Sequence, residues 1–126
     1  ISTRVMDARC PDSDLSAVFD LVLADVPCSG IGVIRKKPDI RQKSEEDLRR
    51  LPQIQLDILR GLSRTVKPGG ALLYSTCTVL RRENEDVLQA FLTENTHFIV
   101  EAGPRTLFPH IDGTDGFFIC KLRNMA

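Results

Sequence analysis

The chain has 126 residues, 17 basic and 17 acidic side chains, 42% hydrophobic residues, four cysteines and no tryptophan. That length limits it to one domain burying about two-thirds of its unfolded surface, and the ordinary apolar and charged fractions exclude a wholly disordered or collagen-like chain. No apolar run approaches the roughly 18 residues of a membrane span, and Ile1-Ser2-Thr3-Arg4-Val5 lacks the blocks of a signal peptide, so we read the chain as soluble.

Ile1 to Met6 reads as a short strand closed by Asp7 and the polar turn Cys10-Pro11-Asp12-Ser13-Asp14. Phe19 to Asp25 is a near-continuous apolar run bounded by acids, the pattern of a strand covered on both faces. From Val26 to Lys43, Pro27, Gly30, Gly32 and Pro38 interrupt any period, which predicts a long loop of the kind that usually carries function. Ser44-Glu45-Glu46-Asp47 fits a capping box. Because proline breaks helices, we expect a short turn to Arg50 and a main helix from about Pro52, with Leu51, Ile54, Ile58, Leu62 and Val66 on its apolar side and Leu59 beside it.

Lys67-Pro68-Gly69-Gly70 stops that helix, and Ala71 to Ser75 follows as a buried-type strand. A second helix is predicted from about Arg82 to Glu94, with Val87, Leu88, Phe91 and Leu92 inward. His97 to Val100 and Gly116 to Leu122 are further strands, the latter after the turn Asp112-Gly113-Thr114-Asp115. Strands alternating with helices indicate an α/β fold with a parallel sheet, in which ligands bind outside the carboxyl ends of the strands.

Zero net charge argues against a protein that grips nucleic acid over its whole surface. Local basic patches remain: Arg35-Lys36-Lys37 with Arg41, Lys43, Arg49 and Arg50, and the pair Arg81-Arg82. On charge alone a solvated loop and helix face is the preferred reading. Cys10, Cys28, Cys77 and Cys120 are widely spaced, with no C-x-x-C and no companion histidine at zinc-finger spacing, so we expect free thiols and no metal site.

Asp25-Val26-Pro27-Cys28-Ser29-Gly30 leaves the carboxyl end of one strand, and Ser75-Thr76-Cys77-Thr78 leaves that of another. If the two strands are neighbours, about 4.8 Å apart, Asp25, Cys28 and Cys77 converge on one crevice. Taken singly, either cysteine is most simply a small core residue. Two at equivalent strand ends, one preceded by Asp and Pro, strengthen the case for a nucleophilic thiolate.

These residues carry a resemblance. Asp25-Val26-Pro27-Cys28-Ser29-Gly30-Ile31-Gly32 is similar to the D-x-P-C-S-x-x-G motif, and Tyr74-Ser75-Thr76-Cys77-Thr78 to the T-C motif, of Sun-type RNA cytosine-5 methyltransferases. Ile34-Arg35-Lys36-Lys37-Pro38-Asp39, Lys67-Pro68-Gly69-Gly70, Glu83-Asn84 and Asp115-Gly116-Phe117-Phe118 match further motifs in family order, so the likeness runs from about Asp7 to Leu122. It is strongest to members that methylate ribosomal RNA. Where the family has Pro-Glu-Glu-Asn, this chain has Arg81-Arg82-Glu83-Asn84, which alters a loop more than the reaction.

The resemblance implies the C-terminal portion of a Rossmann-like S-adenosylmethionine-dependent methyltransferase fold, with a mostly parallel sheet and a last antiparallel strand. It implies Cys77 as the nucleophile that adds to carbon 6 of cytosine, Cys28 as the group assisting release, and Asp25 as a contact to both cofactor and base. It further implies Asp7 at the adenosine of S-adenosylmethionine, and Arg35, Lys36 and Lys37 at RNA phosphates. Glu83 and Asn84 are expected to brace their helix against the T-C loop, Phe117 and Phe118 to be core, and Cys10 and Cys120 to be packing residues. His97 and His110 are assigned no role.

The partner so implied is RNA, probed as a single strand or with the base swung out, with no membrane and no metal. The implied location is the cytoplasm, or the nucleolus or mitochondrion in a eukaryote. The family's glycine-rich cofactor turn, Ala-Pro-Gly-Gly-Lys-like, has no counterpart here, and Gly69-Gly70 precedes a strand instead of joining strand to helix. We therefore expect residues 1–126 to be part of a catalytic domain, lacking that turn and any separate RNA-binding domain, and to be inactive alone. The opening Ile1, in place of Met, fits a piece of something longer. Two alternatives stand beside this reading: a non-catalytic RNA-binding or scaffolding piece of the same fold, and an enzyme that uses Cys28 itself as nucleophile, as DNA cytosine-5 methyltransferases use theirs.

Overall fold

The computed structural model describes residues 1–33 and 44–126. Strand β1 (Phe19–Asp25) is followed by helix α1 (Glu45–Ser63), strand β2 (Val66–Thr76), helix α2 (Glu85–Glu94), strand β3 (Phe98–Leu107), the short helix α3 (Pro109–Asp112) and strand β4 (Phe117–Asn124). The four strands form one sheet in the order β1-β2-β4-β3. β1 pairs parallel to β2, with Leu23 opposite Leu73 and Asp25 opposite Ser75. β4 lies antiparallel between β2 and β3. Three strands thus run one way, and the last in sequence runs against them.

Helices α1 and α2 cover one face. Ala24, Leu72, Tyr74, Phe118, Cys120 and Leu122 from the sheet meet Leu56, Ile58 and Leu59 of α1 and Val87, Leu88 and Phe91 of α2. Fully burying one such large side chain contributes about 1.5–3 kcal/mol. Tyr74 packs edge-on to Phe118 at 6.1 Å and Phe91 to Phe98 at 5.4 Å. Arg60 of α1 reaches Asp57 on its own helix and Glu94 at the end of α2, at 2.8 and 2.5 Å, and so ties the two helices together. The opposite face behaves differently. Phe19, Leu21 and Leu23 of β1 are 41%, 60% and 63% exposed, so the expectation of a strand covered on both faces is corrected: among the described residues only the helix side is packed.

Four other expectations are corrected. Residues 1–6 are exposed and form no strand: they pair with none of the four strands of the sheet, and extended backbone becomes a strand only where a neighbour completes its hydrogen bonds. The break expected near Pro52 is absent, and α1 runs through that residue from Glu45. An interior proline costs about 3 kcal/mol. The burial of Leu56, Ile58 and Leu59 one turn later outweighs it, the Ser44 cap accepts from the Asp47 N–H at 3.1 Å, and Glu45–Arg49 and Glu46–Arg50 pairs support the first two turns. Val66, expected on the helix, opens β2 instead, and β2 takes in Lys67-Pro68-Gly69-Gly70 before the register with β1 shifts between Phe19 and Leu21. The second helix starts at Glu85, after a tight turn over Arg81–Glu83.

Candidate active site

The parallel pairing of β1 and β2 brings their carboxyl ends side by side. The Ser75 hydroxyl donates to Asp25 Oδ1 at 3.0 Å, and the Val26 N–H donates to the Ser75 carbonyl at 3.2 Å. Beyond the strand ends the chain turns twice and the two thiols meet, with Cys28 Sγ 2.8 Å from Cys77 Sγ. The Cys77 backbone N–H also donates to Cys28 Sγ at 3.3 Å. Both cysteines are half-buried. Burial, then the hydrogen bond with Cys77, pushes the Cys28 thiol up to about 12. Cys28 therefore carries its proton at neutral pH and can share it with the neighbouring sulfur.

Two loops hold this pair, and glycine lets them cross. The Gly32 N–H donates to the Cys77 carbonyl at 3.0 Å, and the Gly116 N–H to the Gly32 carbonyl at 2.7 Å. A Cβ on Gly32 would stand 2.2 Å from the Gly116 carbonyl oxygen, and one on Gly116 would stand 2.5 Å from Gly32 Cα. No side chain fits at either residue without the loops moving apart. The last motif, Asp115-Gly116-Phe117-Phe118, thus packs against the loop of Cys28, with Phe118 fully buried and Phe117 half-buried.

Beneath the cysteines lies a buried polar network. Glu83 and Asn84 are both fully buried. Asn84 accepts from Thr76 Oγ1 at 2.6 Å and donates to the Thr78 carbonyl at 3.0 Å, gripping the loop of Cys77 on both sides. Glu83 Oε1 accepts from the Ser29 N–H at 2.8 Å and from Gln55 Nε2 at 3.0 Å, while the Tyr74 hydroxyl donates to the Glu83 carbonyl at 2.5 Å. Ser29 Oγ and Thr78 Oγ1 bond each other at 2.8 Å, linking the loops directly. Gln55 was missed in the sequence. Its signal was available: it stands four residues from both Leu51 and Leu59, a polar residue inside the apolar stripe of α1.

Asp7 and Asp25 line one cavity of about 800 Å³ with Met6, Leu23, Pro27, Ile54 and Leu62. The Asp7 carboxylate is gripped by the Arg9 guanidinium, at 2.7 Å from Nη2, and by the Arg9 backbone N–H at 2.9 Å, which together hold it down to about 2. An anionic carboxylate at each of two places along an apolar-walled cleft suits a ligand with hydroxyl donors and a flat apolar ring, so these residues fit a nucleoside cofactor. Arg35, Lys36 and Lys37 lie outside the described residues. Cys120 is buried, which pushes its thiol up to about 11. Cys10 is exposed and does not pack; it sits at the turn after Asp7, where Ala8 and Arg9, not Cys10, meet Gly61 of α1. No group of three metal-ligating side chains occurs among the described residues. No helix there is long and apolar enough to cross a membrane.

Three co-directional strands, a reversed fourth inserted between β2 and β3, and cysteine-bearing loops at the carboxyl ends of β1 and β2 form the C-terminal part of a Rossmann-like methyltransferase fold. A family model described as 16S rRNA methyltransferase RsmB/F matches residues 1–123, and the chain belongs to that family. It is 43% identical over 141 aligned positions to the "Probable ribosomal RNA small subunit methyltransferase B" of Bacillus subtilis (strain 168), covering 98% of this chain and 32% of the relative. It is 40% identical to "Ribosomal RNA small subunit methyltransferase B" of Pectobacterium carotovorum, covering 92% of this chain and 29% of that protein. The crystal structure of PH0851 superposes with a TM-score of 0.82 at 33% identity, covering 91% of this chain and 29% of that one. That of NSun6 from Pyrococcus horikoshii with SFG gives 0.73 at 26% identity, covering 96% and 34%. The chain spans about a third of the length of these relatives.

Proposed function

We propose that these residues belong to an enzyme that methylates carbon 5 of a cytosine in ribosomal RNA, acting in the cytoplasm through a covalent bond from Cys77 to carbon 6. The observation that carries this reading is the meeting of the two sulfurs, 2.8 Å apart, just beyond the strand ends where Ser75 bonds Asp25. Carbon 5 of cytosine is a poor nucleophile. Cys77, once its proton passes to water, adds its sulfur to carbon 6 and breaks the ring's 5,6 double bond, which moves an electron pair onto carbon 5. Asp25, steadied by Ser75, hydrogen-bonds the ring and keeps it aligned during attack. S-adenosylmethionine, when bound, supplies the electrophilic methyl group that carbon 5 accepts, and the acids Asp7 and Asp25 would hold it.

The proton on carbon 5 then passes to water, its bonding pair re-forms the double bond, and the bond from sulfur to carbon 6 breaks. Cys28, kept protonated by its surroundings, donates its S–H to the departing Cys77 thiolate and so assists the release. Arg35, Lys36 and Lys37 are proposed to contact RNA phosphates.

In the full-length protein, Cys77→Ser should abolish methylation of ribosomal RNA, and Cys28→Ala should leave RNA covalently attached to protein on a denaturing gel. If Cys77→Ser still methylates, or Cys28→Ala accumulates no adduct, the two-cysteine scheme is wrong. We further propose that residues 1–126 alone bind S-adenosylmethionine weakly or not at all and do not turn over. Calorimetry on this piece and on the full-length protein checks this, and strong binding by the piece refutes it. Absence of binding by both would favour a non-catalytic RNA-binding or scaffolding role.

A further inference from the structure

Resting on the two-cysteine reading, we propose that Gln55 is a positioning residue: its side-chain amide fixes both peptide flanks of Cys28 and thereby sets the distance to Cys77. Gln55 is fully buried on α1. Its Nε2 donates to the Pro27 carbonyl, on the N-terminal side of Cys28, at 2.9 Å. The same nitrogen donates at 3.0 Å to Glu83 Oε1, which takes the Ser29 N–H, on the C-terminal side of Cys28, at 2.8 Å. One amide therefore reaches the loop directly on one flank and through one carboxylate oxygen on the other.

The orientation of the amide is fixed by its acceptors. Turning it over would set Gln55 Oε1 against the Pro27 carbonyl oxygen and the Glu83 carboxylate, three acceptors with no hydrogen among them. An amide nitrogen carries two hydrogens and so serves both acceptors at once, which a hydroxyl or a thioether at this position does not. The preceding residue on α1, Ile54, lines the cleft of Asp7 and Asp25, and so does Pro27. Gln55 thus holds the cysteine loop to the same helix that walls the cofactor cleft, and the distance between the thiols follows the position of that helix.

The test uses the full-length protein and two readouts. Phenylarsine oxide binds two neighbouring thiols together with loss of water, so its affinity for Cys28 and Cys77 reports their spacing without RNA or cofactor. Gln55→Met, similar in volume, should weaken that capture by at least about tenfold and lower kcat for methylation by about 10- to 100-fold with KM nearly unchanged, the signature of a displaced reacting group. Gln53→Met, an exposed neighbour bonded to Asp57, should change neither. A Gln55→Met protein that keeps the arsenical affinity and kcat and loses only thermal stability overturns the proposal. Should that variant fail to fold, Gln55→Asn, one methylene too short to reach both acceptors, decides by the same measurements. A wild-type protein that does not methylate cytosine sinks the enzymatic reading, while arsenical capture still decides the role of Gln55.

Discussion

At Cys28 the protonation state follows from the surroundings. Burial and the Cys77 sulfur raise its thiol from 9.0 to about 12. A folded value above the unfolded one means that the protonated form is the one the fold favours. Its contribution to stability is complete below about pH 9 and is lost as pH rises through 12. In the reactive range Cys28 is thus a protonated thiol, able to donate a hydrogen bond to the neighbouring sulfur, and a slow nucleophile. Iodoacetamide at pH 8 should label exposed Cys10 at least about tenfold faster than Cys28, read by peptide mass spectrometry. Equal rates would mean that the loop opens and that the buried thiol pair is not the resting state. Asp7 works in the opposite sense. Its depressed value makes its pairing with Arg9 present above about pH 4 and lost as pH falls towards 2.

The residues proposed to bear the chemistry were legible because motifs fix them locally: Asp25, Cys28 and Cys77 stand where a strand-end reading puts them. The residues that hold them were less so. Glu83 and Asn84 announce a bracing role, but which loop each grips depends on where the helix start docks: Asn84 takes the loop of Cys77 and Glu83 that of Cys28. Gln55 is 28 residues from Pro27 in the chain, and nothing local says that its amide meets that carbonyl.

Helix α1 shows where local rules give way. Its cap, its acidic first turn and its apolar stripe were all readable, yet the proline rule placed the break wrongly. Propensity is a local quantity, whereas the decision was made by packing against the sheet and α2. Pro52 nevertheless forgoes a hydrogen bond within the helix. Pro52→Ala should therefore raise the stability of the fold by about 1 kcal/mol, the recovered helix energy being offset by a more flexible unfolded chain. Chemical denaturation measures this. A loss of similar size would show that the ring's own packing holds α1 in place. The strand expected at residues 1–6 failed for the complementary reason: a strand is half of a pair, and an apolar stretch does not carry its partner with it.

For the molecule as a whole, the antiparallel final strand and the two helices on one face account for the packed core, and among the described residues nothing covers the other face of β1. Among the described residues β1 is also an edge strand, so one side of its backbone pairs with no other strand there, beside exposed Phe19, Leu21 and Leu23. An apolar, unpaired edge is a template for another strand, and such edges drive chains to stack on one another. Residues 1–126 in isolation should accordingly self-associate as concentration rises, by sedimentation velocity, and Leu21→Lys should return them towards a monomer without disturbing the helix-covered core. Concentration-independent sedimentation of the unaltered chain would show the edge to be protected. The strand that carries Asp25 is, by this account, also the one that a second copy of the chain can extend.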